Sequence, residues 1–445
     1  MWNSTSYKLQ ATDNMFKDIL RTIGARYLVA FLNLLLIFIN SKVLGREGMG
    51  VIGILFASAN LIAIFNSFFC GNTIVYFINR YNLRYVFFPA YGWAFAGSAV
   101  VCFIMGLFQL LPVGYETTVF CLSVLISLVS AHAMMLLGKD RVSAFNSLFI
   151  LQGVFLFVSL LGLYYIFGFK EVDGYLTGLF GAYIVAYLFS MLLLIPYLNK
   201  KKNNVVNKSF FTVLKEMFLY GLWSSIDNLA EGLTTRLNYF LVQHSGGYGQ
   251  VGLLDSGTKI AESVWHLSNS VSYIEYNRVS KTTDLQEQKR ITLQLFKLTC
   301  CALLIVMVLV CFVPEWVFTE YLLTAEFAGI RKVIIGMSLG IVALGSNRIL
   351  SHFFIGSGRI KYSACCSLFG LALLFVAGLI LVPMYGVLGA AMTASFAYAG
   401  MLVFSLIVFM KNTGTKPIEF IPSKSDFHLI HKAGLSLVRS FHIWK

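Results

Sequence analysis

The chain has 445 residues, 58% of them hydrophobic and only 12% charged, with a formal net charge of +14. No soluble core could hide that much apolar surface, so the bilayer is the solvent for most of the chain. The basic excess does not point to nucleic acid, which is held by cations gathered on one wet face; here the cations are dealt out between hydrophobic runs.

Runs long enough to cross about 30 Å of hydrocarbon as helices recur almost end to end. The polar alternation of barrel strands is missing. The predicted fold is therefore an all-α polytopic membrane protein. Twelve spans are placed near 20–43, 51–79, 86–111, 117–137, 142–168, 175–198, 217–243, 251–277, 293–318, 329–355, 362–382 and 387–410. The first follows Lys8, Lys17 and Arg21 and lacks a small-residue cleavage site, so it reads as a retained span rather than a signal peptide.

Basic residues favour one set of connecting segments: Arg80 and Arg84, Lys139 and Arg141, Lys200 to Lys202, Arg278 to Arg290, Arg359 and Lys361, and the tail. The opposite set holds mostly acids, among them Glu116, Glu171, Asp173 and Glu326. By the positive-inside bias both termini are predicted to be cytoplasmic.

The polar break at 199–216 is expected to be a cytoplasmic linker between an N-lobe (1–198, spans 1–6) and a C-lobe (217–411, spans 7–12), with a basic tail at 412–445. The tail has an amphipathic stretch around 427–443, suited to lying on anionic headgroups or to docking a partner. Gly48-Met49-Gly50 follows Phe16-Lys17-Asp18 much as Gly247-Tyr248-Gly249 follows Leu214-Lys215-Glu216. This faint repeat predicts lobes related by a pseudo-two-fold axis along the membrane normal.

Eight cysteines all fall inside apolar runs without metal-ligand spacing, and read as reduced packing residues. No connecting segment exceeds about eighteen residues, and neither a nucleotide-sugar DxD nor a phosphate loop is present. A polymerase or acyltransferase would need such machinery. A channel would want a repeated filter or ring of charges. A carrier with alternating access fits better, and no cofactor or resident metal is expected.

An ionised residue at membrane depth costs at least about 2.5 to 3.5 kcal/mol at a helix centre, so such residues sketch a wet cavity. Span 1 carries Arg26 and Asn33, and span 2 carries Asn60 and Asn66; apart from Arg26 this is an uncharged wall that suits sugar hydroxyls or interhelical amide bonds. Arg26 could grip a phosphate or snorkel. Span 7 carries Asp227 and Glu231, four residues apart and expected on one face, as candidates for H+ or Na+ coupling or for plain pairing. Its Arg236 is expected to snorkel at the mouth. Span 8 carries Asp255, Lys259, Glu262 and His266 as one polar stripe, with Lys259 as a candidate phosphate contact or an internally neutralised base. Arg348 in span 10 shares Arg26's two readings.

Two passages carry a family resemblance. Leu44-Gly45-Arg46-Glu47-Gly48-Met49-Gly50 looks like an LGxExYG turn with Met49 in place of the aromatic, and Pro383-Met384-Tyr385-Gly386-Val387-Leu388-Gly389-Ala390-Ala391 is similar to a proline-led GxxGAA passage. On these the chain resembles bacterial polysaccharide flippases of the Wzx type, within the multidrug/oligosaccharidyl-lipid/polysaccharide exporter superfamily. The resemblance implies a V of two six-helix lobes around a cationic cavity lined by the first two spans of each lobe. It also implies flipping of undecaprenyl-pyrophosphate-linked oligosaccharide repeat units across a bacterial plasma membrane, with membrane lipids, a polymerase and a chain-length regulator as partners. The acids in spans 7 and 8 depart from a strongly cationic lumen. A multidrug or cation antiporter of the same superfamily is the alternative, with a repeat-unit polymerase behind it.

Overall fold

The computed structural model describes residues 2–78, 81, 83–139, 141–198, 210–279, 282 and 284–421, with side chains from residue 27 onward except at 72, 76, 220, 273, 274 and 277. The chain order is α1 (Trp2–Cys70), α2 (Asn72–Phe77), α3 (Leu83–Leu107), α4 (Glu116–Gly138), α5 (Val142–Leu161), α6 (Val172–Leu198), α7 (Phe210–Glu262), α8 (Trp265–Val279), α9 (Leu285–Phe312), α10 (Ile330–Gly356) and α11 (Ile360–Thr413). Most of the linker, at 199–209, and the tail from 422 onward fall outside the described residues.

Three of these helices are double spans. α1 breaks at Gly45 (φ 65°, ψ −174°), α7 at Gly247 (φ 71°, ψ −178°) and α11 at Gly386 (φ 57°, ψ −130°), each in the left-handed region where only glycine is at ease. With these three divided, and α8 completing span 8, the helices supply twelve spans. Eight helical stretches are long and apolar enough to cross a membrane, two of them, of 49 and 54 residues, enough to cross twice. α7 falls outside that set because spans 7 and 8 carry the buried charges.

Spans 1–6 pack among themselves, as do spans 7–12, and the two lobes meet chiefly through α1 against α7. The outside is oily: Phe103, Leu107, Ile305, Leu309, Val376 and Phe396 are all exposed, as expected where lipid rather than water is the neighbour. Cys121 and Cys365 face outward instead of serving as interior packing residues, the role expected of all eight; no cysteine is bridged among the described residues.

The repeat is real, but its register differs from the one letters suggest. Gly45 and Gly247 share one backbone conformation, so Gly50 matches Gly252 and Arg46 matches Tyr248. The contacts across the lobes are reciprocal in this register: a Cβ on Gly50 would run into the Tyr248 carbonyl, and one on Gly252 into the Arg46 carbonyl. Such mutual contact is the signature of two-fold pairing.

Two elements differ from the sequence expectation. α9 begins at Leu285, capped by Asp284 Oδ1 accepting from Gln286 N at 3.0 Å, rather than near 293. Hydropathy marks the hydrocarbon core, and the polar first turns of α9 lie outside it. Span 8 is interrupted at Ser263 and Val264, where Val264 N bonds Ala261 O and Leu267 N bonds Val264 O at 3.3 Å in tightened three-residue turns.

Candidate functional site

Below the Gly45 and Gly247 turns the lobes enclose a cavity of about 880 Å³. The turn end is shut. Arg46 donates from Nε to Gly249 O at 2.7 Å and from its backbone N to Glu326 Oε2 at 2.9 Å, and Met49 and Ile52 join Val251 and Leu254 in one apolar cluster. Spans 2 and 7 stay together along their length, with Gly232 against Ile64, Gly221 against Thr73, and Tyr81 OH donating to Glu216 Oε2 at 2.8 Å. Spans 1 and 8 touch less, meeting at the rings of Tyr27 and His266, whose centres are 6.4 Å apart. A recess of about 380 Å³ lies between them, bordered by Tyr27, Asn33, Phe149, His266 and Asn269, all but Tyr27 shared with the main cavity.

The cavity's two walls differ in chemistry. Spans 1, 2 and 4–6 contribute Asn33, Asn40, Asn60, Ser130, Gln152, Tyr175 and Tyr183, with no charge among the described side chains. Every described charge on the lining comes from the C-lobe: Glu231, Arg236, Lys259, Glu262 and Arg348.

Those charges form ion pairs. Arg236 grips Glu262 with both nitrogens, at 2.9 and 2.8 Å, and its Nη1 also donates to Tyr239 OH at 3.2 Å. Lys259 donates to Asp255 Oδ2 at 2.7 Å. Arg348 reaches Glu231 Oε1 by a single contact at 3.3 Å, donates to Asn269 Oδ1, and lies 4.7 Å from the centre of the Trp265 ring. Trp265 is held in turn by Nε1 donating to Ile341 O at 2.8 Å.

Asn33, Asn60, Glu231, Lys259, Glu262, His266 and Arg348 thus share one chamber. Arg26 lies outside the described side chains. Three expected residues sit elsewhere. Asn66 is buried inside the N-lobe, donating to Ser98 Oγ and Ser127 Oγ at 2.9 Å each. Asp227 faces span 11 rather than the cavity, accepting from Ser363 at 2.7 Å and Ser367 at 2.5 Å. Glu231, four residues on, lies about 40° further round the helix, and the hydroxyls of span 11 draw Asp227 away from the cavity that Glu231 lines. Asp255 is buried beside Gly53, off the lining, and joins the cavity's charge network by accepting from Lys259.

Arg236 is a correction in the other direction: it points inward to Glu262 instead of snorkelling. Asn228, one of the polar residues of span 7, also lines the chamber, as do Gln152 and Asn269, which were not singled out. Their signal, an amide inside an apolar run, was visible. The interruption of span 8 was not, since neither glycine nor proline marks Ser263-Val264.

Replacing Asn66 by Leu should therefore lower stability by about 1 kcal/mol, two interhelical bonds at membrane values, and leave transport per folded molecule unchanged. Asn60→Leu should do the reverse. Thermal unfolding in detergent beside a transport assay separates the two.

No family model matches the sequence, and no curated protein matches it either. Solved structures do. An inward-facing MATE-family multidrug resistance transporter of the MOP superfamily superposes with a TM-score of 0.67 at 14% identity, covering 87% of this chain and 94% of that one. The lipid II flippase MurJ in an inward closed conformation matches with a TM-score of 0.67 at 14% identity, over 97% and 93% of the two chains. A MOP superfamily transporter from Pyrococcus furiosus, described as having a binding pocket of reverse polarity, matches with a TM-score of 0.54 at 15% identity, over 89% and 94%. The chain has the two-lobe, twelve-helix fold of these membrane transporters.

Proposed function

We propose that the chain is an alternating-access flippase that carries undecaprenyl-pyrophosphate-linked oligosaccharide repeat units from the cytoplasmic to the outer leaflet of a bacterial plasma membrane. The observation that carries this reading is the division of the cavity into an amide and hydroxyl wall on one lobe and a wall with three bases on the other. Sugar hydroxyls exchange hydrogen bonds with Asn33, Asn60 and Gln152. The pyrophosphate faces Arg348 and Lys259, and the polyprenyl chain leaves through the recess between spans 1 and 8.

Moved bare through hydrocarbon, a pyrophosphate would face a cost on the order of tens of kcal/mol. Basic side chains in a wet chamber remove much of it. Arg348 gives up its carboxylate more readily than Arg236, because it holds Glu231 by one long contact whereas Arg236 is locked to Glu262 by two short ones. When phosphate takes Arg348, Glu231 loses its countercharge. A proton or Na+ on Glu231 then balances the site, with Asp227 as a second coupling candidate. A polymerase and a chain-length regulator would act on the flipped units, and both termini lie in the cytoplasm.

Lys259→Ala and Arg348→Ala, each expressed in a strain lacking the native gene, should lower surface polysaccharide by about tenfold or more at normal protein level, as expected when a charge-assisted contact worth about 1.5–3 kcal/mol is lost. Full export in both variants would refute the assignment. The acids on the same wall, Glu231 and Glu262, favour a second reading as a cation or multidrug antiporter. Drug resistance conferred by the intact chain, with polysaccharide export unaffected by its deletion, would select that reading.

A further inference from the structure

The C-lobe holds a second polar site, away from the cavity. Glu275 lies on α8 one turn before Val279 and is completely buried. Neither of its carboxylate oxygens has a hydrogen-bond partner, and no Lys, Arg or His among the described residues pairs with it. The side-chain group that faces it is the Thr292 hydroxyl of α9, also fully buried and without a well-formed hydrogen bond. The surroundings are apolar. Val271 and Val279 of α8, the residues one turn to either side of Glu275, pack with Leu293 and Phe296 of α9 and Ile349 and Phe353 of α10. Gln288, one turn before Thr292, donates to Val279 O at 3.2 Å and Thr282 O at 2.8 Å, so its amide closes the site from the loop beyond α8.

A bare carboxylate among aliphatic side chains is strongly disfavoured unless a positive charge accompanies it. Among the described residues none is supplied here, and glutamine would fill the same space without that cost. We propose that Glu275 and Thr292 form a monovalent cation site, occupied by H+ or Na+ and separate from the interlobe cavity. A proton completes the carboxylic acid, whose hydroxyl donates to Thr292 Oγ1. A sodium ion is instead ligated by the carboxylate oxygens and the Thr292 hydroxyl. The ion enters past Gln288 from the loop side. α8 also carries Asn269, the hydrogen-bond acceptor of Arg348 in the cavity, so a site that controls how α8 packs on α9 is joined through one helix to the cavity wall. None of this depends on which cargo the cavity carries.

The test uses the purified full-length protein with Glu275→Gln, which keeps the shape and removes the charge, and Thr292→Val as a second variant. Infrared difference spectra at neutral pH report a protonated carboxyl through its carbonyl stretch. Thermal-unfolding midpoints in NaCl and KCl of equal ionic strength report Na+ binding. A carboxylic-acid band present in the wild type and absent in Glu275→Gln assigns the site to H+. A midpoint higher in NaCl than in KCl for the wild type alone assigns it to Na+. If Glu275→Gln does not fold, Thr292→Val gives the same readouts, with a shifted band or a several-fold weaker Na+ response expected. Folded variants that match the wild type in both measurements overturn the proposal.

Discussion

Arg236→Ala lowers the thermal-unfolding midpoint of the protein further than Arg236→Ala combined with Glu262→Ala. The single substitution removes both short bonds to Glu262 and leaves that carboxylate, whose side chain is only 13% exposed, facing the lobe without its partner. Breaking one side of such a pair costs about 3–5 kcal/mol, much of it the penalty of the stranded charge, and the lower end applies here because the cavity admits water. Removing both charges deletes the penalty along with the attraction, so the double variant should recover most of the loss. A double-mutant cycle measures this coupling directly. Additive losses in the double variant would mean that the two side chains stabilise the fold independently and that the pair does not hold spans 7 and 8 together.

The second large effect is expected at Gly50, where backbone meets backbone. A side chain there would overlap the Tyr248 carbonyl and crowd Gly252 N, neither of which can turn aside as a side chain can. Gly50→Leu should therefore prevent the turn end from closing and reduce transport to background, and Gly252→Leu should do the same through the Arg46 carbonyl. Spin labels on Glu47 and Gln250 should move apart in both variants. Gly92→Leu serves as the control, because a Cβ at Gly92 meets nothing within 4 Å. Wild-type transport by Gly50→Leu would show that closure of this end is not part of the cycle.

The class of the fold is legible in the order of residues. The apolar runs are the length of a bilayer crossing, and backbone in hydrocarbon must bond within its own helix, so helices and their approximate limits were legible from composition alone. The sequence also put candidate cavity charges on spans 1, 7, 8 and 10, because an ionised residue inside an apolar run stands out against its neighbours. Which way each residue points was decided only by tertiary packing. Asn60 and Asn66 look alike as amides in span 2, yet one lines the chamber and the other binds two serines inside the N-lobe. Asp227 and Glu231 lie one turn apart, yet span 11 takes the first and leaves the second to Arg348. Partners far apart in sequence make these choices, and nothing local to a residue encodes where a distant helix will lie. The true register of the repeat was hidden for the same reason, since Gly50 and Gly252 are matched by the backbone conformation and the space they share rather than by their neighbours in the chain.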